Sequence, residues 1–262
     1  MIARVETGGA TIAAEITGKP DGDWIVLSNS LGATRAMWAP QRAWLEATRR
    51  VLSYDTRGHG DSSTPAGAYS FDDLVGDVVA LMDHFGIDRA DVLGLSLGGM
   101  TGLGLALDHP ERVRRLVCCD ARADAPEAFA KSWDERIAAI RAGGMAAIWP
   151  GTLERWLTRE TQVTNRNRVA ALRADFERTR VDGYAGCAAA LQRLDFLRRL
   201  PEMAVPTLYV VGTEDAGAPP AVMRAMADST PGAKFAEVAG AAHIANLDNP
   251  AGFDAAVRPF LG

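Results

Sequence analysis

The sequence predicts an α/β protein with a mostly parallel central sheet that is covered by helices. Short apolar runs alternate with amphipathic stretches from the N-terminus to about residue 120, and this alternation resumes near residue 207. Strands that alternate with helices favour a parallel sheet, because each helix carries the chain back to the start of the next strand. Between these two regions, residues 123–200 contain no convincing strand.

The predicted elements follow from turn signals and from the spacing of apolar residues. Strands are expected where short apolar runs lie between turns, and helices where apolar residues recur every three or four positions. The predicted strands are 2–6, 11–16, 24–28, 51–54, 91–95, 113–119, 207–211 and 234–238. The predicted helices are 38–48, 71–86, 97–107 and 250–261.

Local residues justify these boundaries. Gly8-Gly9 separates the first two strands and predicts a hairpin, and Asp21-Gly22-Asp23 precedes the third strand. Pro40 lies in the first turn of helix 38–48, where a proline is tolerated. The helix over 71–86 presents one apolar face, made of Phe71, Leu74, Val78, Leu81, Met82 and Phe85.

The strandless region predicts a helical cap inserted after the sixth strand. Residues 123–200 are rich in Ala, Arg, Leu and Trp at helical spacing, with breaks at Gly143-Gly144, Pro150-Gly151 and Gly183. We therefore expect a core made of residues 1–122 and 201–262, and a cap made of residues 123–200.

Composition excludes several classes of function. The 262 residues carry a net charge of -5 with both signs interspersed, so we expect no nucleic-acid partner. A small anionic substrate is still compatible with this charge, because one buried arginine dominates at short range. No apolar run is long enough to cross a bilayer and no signal peptide is evident, which predicts a cytoplasmic protein without a membrane partner. The sequence makes no prediction of oligomeric state.

The three cysteines, Cys118, Cys119 and Cys187, show no metal-ligand or disulfide spacing. We interpret them as small buried apolar residues. We expect neither a metal nor an organic cofactor.

The strongest chemical signal is the stretch 94–99, Gly-Leu-Ser-Leu-Gly-Gly, which lies between a predicted strand and a predicted helix. A tight strand–turn–helix connection of this kind exposes Ser96 as a nucleophile, and it requires glycine at positions 94 and 98 for close packing. The bare pattern occurs by chance in many chains, whereas its position between a strand and a helix is specific. The alternative is a serine that only caps the helix.

A nucleophilic serine needs a base and an acid that orients the base, and on such a turn they follow in the order serine, acid, histidine. His243 comes last, in a loop after strand 234–238, and is the predicted base. Asp215 is the preferred acid because it stands three residues after the glycine at the strand end, while Glu214 and Asp120 are the alternatives.

The other three histidines are not assigned a catalytic role. His84 lies in a helix before the serine, and His109 lies at a helix end. The loop 55–62 contains an aspartate, an arginine and His59, but we interpret it as structural, with a buried arginine–carboxylate pair beside the nucleophile.

The oxyanion of the reaction needs two backbone N–H donors. Leu97, directly after the nucleophile, is expected to supply one of them, and Leu31, in the loop after strand 24–28, the other. Asn29 and Ser30 of the same loop are candidates to contact the substrate or to shape the pocket by hydrogen bonding.

Several stretches together resemble the 3-oxoadipate enol-lactonase family of α/β-hydrolases. The similarity extends over nearly the whole chain, and Ser28-Asn29-Ser30-Leu31-Gly32 is its most distinctive part. Ala242 departs from the glycine that often precedes the histidine. The similar stretches are 27–32, 37–38, 54–60, 94–100, 182–187 and 243–247.

The resemblance implies hydrolysis of an enol-lactone to 3-oxoadipate in aromatic catabolism. That substrate carries a free carboxylate, so a mostly apolar pocket should contain a cation. Arg136 is the preferred candidate and Trp133 would form an apolar wall. Equally, Trp133 could pack the cap on the core with Arg136 solvated. Trp149, Arg155 and Trp156 are weaker candidates.

Two rival functions remain open at this point. One is another activity of the same fold, on carboxylic esters, lactones or carbon–carbon bonds. The other is a binding protein of this fold with little or no turnover.

Overall fold

The fold is built on one eight-stranded sheet in a computed structural model that describes residues 2–262. The strands lie in the order β1-β2-β4-β3-β5-β6-β7-β8. β2 is antiparallel to its neighbours β1 and β4, and the other pairings are parallel, which confirms the predicted fold class. The strands are β1 (Ile2–Glu6), β2 (Thr11–Gly18), β3 (Asp23–Ser28), β4 (Arg49–Tyr54), β5 (Ala90–Leu95), β6 (Val113–Cys119), β7 (Thr207–Gly212) and β8 (Lys234–Val238).

Eleven α-helices accompany the sheet in the described part of the chain. Every residue of β5 and of β7 is buried, so helices cover both faces of the central strands. The helices are α1 (Ala39–Thr48), α2 (Phe71–His84), α3 (Leu97–Asp108), α4 (Glu127–Gly143), α5 (Trp149–Trp156), α6 (Arg159–Thr164), α7 (Arg166–Glu177), α8 (Val181–Gln192), α9 (Pro220–Ser229), α10 (Ala245–Asp248) and α11 (Pro250–Leu261).

Local sequence accounts for most of the boundaries. The Ser70 hydroxyl accepts a hydrogen bond from the Asp73 N–H, and the Asp73 carboxylate accepts one from the Ser70 N–H, so a capping box starts α2. Helices α9 and α10 are absent from the predicted elements. Pro220 occupies the first turn of α9, where its missing N–H costs nothing.

Five of the helices, α4 to α8, form a cap inserted between β6 and β7, as predicted. The two ends of this insertion meet, because the Ala123 carbonyl accepts hydrogen bonds from the N–H groups of Phe196 (2.7 Å) and Leu197 (2.8 Å). The cap is tied to the core at the loop after β3, where the Asp175 carboxylate accepts from the Thr34 hydroxyl (2.8 Å). The division into separate core and cap domains stays a prediction.

The carboxyl ends of the parallel strands carry the loops of chemical interest. Ser96 follows β5, Asp215 follows the end of β7 and His243 follows β8. Parallel strands end at one edge of a sheet, so these loops converge beneath the cap. Among residues 2–262, no helix has both the length and the hydropathy needed to cross a membrane.

Candidate active site

Ser96 occupies the turn between β5 and α3 in a strained conformation. Its φ is 55° and its ψ is -118°, and a positive φ is rare for a residue with a side chain. The turn is possible because its neighbours lack side chains. A Cβ at Gly94 would lie 2.2 Å from the Gly98 carbonyl oxygen, and a Cβ at Gly98 would lie 2.2 Å from the Ser28 carbonyl oxygen.

Gly98→Ala is therefore expected to lower the free energy of unfolding by about 3 kcal/mol or more, because the added methyl meets rigid backbone. Gly76→Ala is the matched control. Gly76 lies in the exposed part of α2, where an added methyl would have no neighbouring atom within 4 Å, so that change should stabilise the protein by about 0.5–1 kcal/mol. Chemical denaturation measures both values, and equal effects would contradict this account of the turn.

A chain of hydrogen bonds joins Ser96, His243 and Asp215. His243 Nε2 lies 2.9 Å from Ser96 Oγ, and His243 Nδ1 lies 2.8 Å from Asp215 Oδ2. The second carboxylate oxygen, Oδ1, accepts from the N–H groups of Gly217 (2.7 Å) and Ala218 (3.1 Å). The structure thus brings the three residues predicted from the sequence into the arrangement of a nucleophile, a base and an orienting acid.

The environment keeps Asp215 ionised. Burial by itself would raise the pKa of Asp215, because it disfavours the charged carboxylate. The charge of His243 and the hydrogen bonds from His243, Ala218 and Gly217 outweigh burial, so the pKa of Asp215 is lowered. An ionised carboxylate holds the proton of His243 on Nδ1. His243 Nε2 is then free to accept the proton of the Ser96 hydroxyl.

Neither alternative acid takes this position. Glu214 is exposed and makes no hydrogen bond with His243. Asp120 is fully buried and its Oδ1 accepts from the Gly212 N–H (2.8 Å), while its Oδ2 has no partner among the described residues. Burial and the nearby charge of Asp215 raise the pKa of Asp120 well above its ordinary value.

The loop after β3 presents one free amide between two engaged ones. The Ser30 N–H donates to Met37 Sδ (3.3 Å), and the Gly32 N–H donates to His59 Nε2 (2.9 Å). Leu31 lies between them and lines the cavity beside Ser96. In residues 2–262, the N–H of Leu31 has no acceptor.

Leu97 is the first residue of α3, and its side chain is buried. The first N–H groups of a helix lack intrahelical acceptors and carry a partial positive charge. The N–H of Leu97 directly follows the nucleophile, and it stays, with the N–H of Leu31, the donor pair predicted for an oxyanion.

Asn29 corrects one sequence-based expectation, because its side chain does not line the cavity. It is fully buried in the core, where Nδ2 donates to the Tyr54 carbonyl (2.6 Å) and Oδ1 accepts from Trp38 Nε1 (3.0 Å). The indole N–H of a buried tryptophan needs an acceptor, and Asn29 supplies it. Ser30 does line the cavity.

His59 is buried and forms hydrogen bonds with the backbone of two loops. Burial lowers its pKa, and its neutral ring accepts from Gly32 at Nε2 and donates to the Arg57 carbonyl from Nδ1 (3.1 Å). Arg57 in turn donates from Nε and Nη2 to the two carboxylate oxygens of Asp77, at 2.7 and 2.8 Å. Arg57 of loop 55–62 therefore forms a buried arginine–carboxylate pair, as the sequence predicted, with a carboxylate that comes from α2.

A cavity of about 260 Å³ opens onto Ser96 and His243 between core and cap. This volume is below the range of about 300–1,000 Å³ that is typical of pockets for drug-sized ligands, so the cavity suits a small molecule. Trp133 and Arg136 line it, as do Arg155 and Trp156 from the next cap helix. Further lining residues that the sequence analysis did not name as site residues include Met100, Arg122, Phe129, Ser132, Thr152 and Tyr184, of which Met100 and Tyr184 lie in stretches that resemble the family.

Two arginines give the cavity a positive charge. Within residues 2–262, neither Arg136 nor Arg155 forms an ion pair with a carboxylate, whereas Arg122 pairs with Asp124 at 3.3 Å. The Arg136 guanidinium lies 4.4 Å from the centroid of the Trp133 ring, and Arg155 Nη2 donates to Thr152 Oγ1 (3.3 Å). Burial and the charge of Arg136 lower the pKa of Arg155 to about 10, so Arg155 remains cationic at neutral pH.

No group of three or more His, Cys, Asp and Glu side chains within residues 2–262 is placed to hold a metal ion. The polar groups at the cavity include the Ser96 hydroxyl, the His243 imidazole and the guanidinium groups of Arg136 and Arg155.

Comparison with known proteins shows that this chain is similar to hydrolases. The profile of the alpha/beta hydrolase fold matches residues 23–250. The chain is 35% identical to 3-oxoadipate enol-lactonase 2 of Acinetobacter baylyi, over 93% of this chain and 90% of that protein. It is 32% identical to a Variovorax paradoxus protein named as a carbamate hydrolase, over 94% of each chain.

A solved structure is similar over the full fold. The enol-lactonase from Burkholderia xenovorans LB400 is 38% identical, covers 99% of both chains and superposes with a TM-score of 0.95. At this coverage the similarity includes the cap as well as the sheet.

Proposed function

The chain belongs to the α/β-hydrolase fold family and is a hydrolase, and we propose that it is a serine enzyme that opens a small, carboxylate-bearing enol-lactone such as 3-oxoadipate enol-lactone. One observation carries this proposal. The hydrogen-bonded chain of Ser96, His243 and Asp215 faces a small cavity that also contains two arginines without carboxylate partners among residues 2–262.

Acylation follows from the geometry. His243 Nε2, 2.9 Å from Ser96 Oγ, takes the hydroxyl proton as the oxygen attacks the lactone carbonyl carbon. The carbonyl electron pair moves to oxygen, where the amides of Leu31 and Leu97 stabilise it. When the intermediate collapses, the ring C–O bond breaks and an enolate leaves, and the proton held by His243 then passes to the enolate to give an enol and restore neutral His243. Because an enolate is a good leaving group, it needs little help from an acid.

Deacylation uses the same residues, with water as the nucleophile and Ser96 as the leaving group. His243 removes a proton from water, and the oxygen of that water attacks the ester carbonyl carbon of the acyl-enzyme. The C–O bond to Ser96 then breaks and the serine oxygen recovers the proton from His243. The enol formed on ring opening isomerises to the ketone, so the product is a 3-oxo dicarboxylate. No step requires a group beyond these residues and water.

The arginines account for the choice of an anionic substrate. A carboxylate in the cavity would meet two guanidinium groups that are partly removed from water, and hydrogen bonds between charged groups are stronger there than in bulk solvent. A neutral ester would leave both cations unneutralised. The names of the enol-lactonase relatives support the same class of substrate.

The proposed function is tested by hydrolysis of 3-oxoadipate enol-lactone beside a neutral lactone, a neutral ester, a simple carbamate and a carbon–carbon hydrolase substrate. We expect the highest kcat/KM for the enol-lactone, with 3-oxoadipate as the product. A higher kcat/KM for any of the other compounds would replace the proposal with that activity. Absence of turnover and of fluorophosphonate labelling at Ser96 would favour a binding protein.

Arg136→Ala is expected to raise KM for the anionic lactone by about 10- to 100-fold, since a hydrogen bond to a charged group contributes about 1.5–3 kcal/mol. KM for a neutral ester should change little. Arg141→Ala is the matched control, because Arg141 lies on the same helix, α4, but is exposed and does not line the cavity. Equal effects of Arg136→Ala on the anionic and neutral substrates would remove Arg136 from carboxylate binding.

A further inference from the structure

The loop that carries His243 is hydrogen-bonded to the cap through the backbone. The His243 N–H donates to the Arg155 carbonyl (3.2 Å), and the Ile244 N–H donates to the Trp156 carbonyl (3.1 Å). The backbone around the base is thus paired with the end of α5. The side chains of Arg155 and Trp156 at that end line the cavity.

The buried carboxylate of Asp248 forms hydrogen bonds with both of these segments. Asp248 Oδ2 accepts from the N–H groups of Ala242 (2.7 Å) and Thr158 (2.8 Å), and Asp248 Oδ1 accepts from the Thr158 hydroxyl (3.1 Å). Ala242 directly precedes His243, and Thr158 stands two residues after Trp156. Asp248 is 7% exposed and lies outside the cavity, so it does not touch a ligand there.

An acceptor side chain is what this position requires. Two backbone N–H groups donate to Oδ2 and the Thr158 hydroxyl donates to Oδ1, so an alanine at position 248 would leave both buried N–H groups without an acceptor. The site is also costly, because the charge of Asp248 adds to the raised pKa of the buried Asp120. The hydrogen bonds from Ala242 and Thr158 to Asp248 therefore have to offset this cost.

We propose that Asp248 is a positioning residue that locks the His243 loop to the cap segment 155–158. His243 and Arg155 then belong to two segments that are hydrogen-bonded to each other. The position of the cap on the core therefore determines the position of His243 Nε2 relative to Ser96. This inference rests on the proposed function in one respect, that His243 acts as the base for Ser96. It does not depend on which ester or lactone is the substrate.

The test uses 4-nitrophenyl acetate as a neutral substrate and a fluorophosphonate to titrate reactive Ser96. In Asp248→Ala, which removes the acceptor of all three donors, we expect kcat per titrated site to fall by about 100-fold, because a displacement of about 1 Å at a catalytic group costs about that much. KM for this small neutral ester should change little. Asp228→Ala is the matched control, since Asp228 is exposed on α9 and its variant should retain the wild-type rate.

Thr158 provides a second variant in case Asp248→Ala fails to fold. Thr158→Val removes one donor to Asp248 and keeps the backbone N–H, so we expect a fall in kcat per titrated site of about 3- to 10-fold. Thr158→Ser restores the hydroxyl and should recover most of that loss.

A role in stability alone would lower Tm and the number of titrated sites, and would leave kcat per titrated site at the wild-type value in both variants. That result would overturn the inference and leave the proposed function standing. Failure of the wild-type protein to be titrated at Ser96 would overturn both.

Discussion

Ser96→Ala is expected to lower kcat for the enol-lactone by about 10⁴- to 10⁶-fold, because the remaining amides and arginines can bind the substrate but no acyl-enzyme can form. KM should stay within a few-fold of wild type, since the hydroxyl contributes little to binding of the ground state. Steady-state kinetics measures both quantities. Mass spectrometry after fluorophosphonate treatment should show one adduct on the wild-type chain and none on the variant.

The matched control for this variant is Ser229→Ala, which removes a hydroxyl from the exposed end of α9. It should keep full activity and full labelling at Ser96. The free energy of unfolding of Ser96→Ala should remain within about 1 kcal/mol of wild type, because only a hydroxyl is lost. Near-normal lactonase activity in Ser96→Ala would reject Ser96 as the nucleophile.

Asp215→Asn is expected to lower kcat by about 10⁴-fold, because it fixes the wrong tautomer of His243. In the native site, Oδ1 accepts from the N–H groups of Gly217 and Ala218, and Oδ2 lies 2.8 Å from His243 Nδ1. In the variant the amide oxygen stays with the two backbone donors. The NH₂ group then donates to His243 Nδ1, so the ring proton moves to Nε2 and that nitrogen can no longer accept from Ser96.

Glu214→Gln is the matched control, since Glu214 is the adjacent acid and is exposed. It should leave kcat unchanged. The two variants together decide between the neighbouring carboxylates that the sequence offered. A loss of activity in Glu214→Gln with retention in Asp215→Asn would reverse the assignment.

Ser96, Asp215 and His243 were predictable from the sequence because each depends on local structure. The turn around Ser96 has its own signature: two glycines that the backbone geometry demands, between an apolar strand and a helix. Asp215 and His243 are placed by the strands that precede them, and parallel strands end at one edge of the sheet. The order of strands and helices along the chain was thus sufficient to predict that these three residues lie at the same edge of the sheet.

The surroundings of these residues were decided by the tertiary structure. Asn29 and Ser30 are neighbours in the same loop. The side chain of Asn29 nevertheless contacts Trp38 in the core, whereas Ser30 lines the cavity. The segment containing Trp156 is hydrogen-bonded to the loop around His243, although more than eighty residues separate them in the chain, and Asp248 adds a further contact. No periodicity along the chain encodes such contacts.

The sequence by itself therefore determined the fold class, the insertion of a helical cap and the strand-end positions of the predicted nucleophile, acid and base. The tertiary structure decided which cap arginines face the cavity without a carboxylate partner in the described chain, which loop amides remain free there, and how the base is attached to the cap. The physical reason is the range of the interactions. Strands, helices and tight turns are specified by neighbours a few residues apart, whereas a cavity is defined by side chains from separate elements that meet only when the chain is packed.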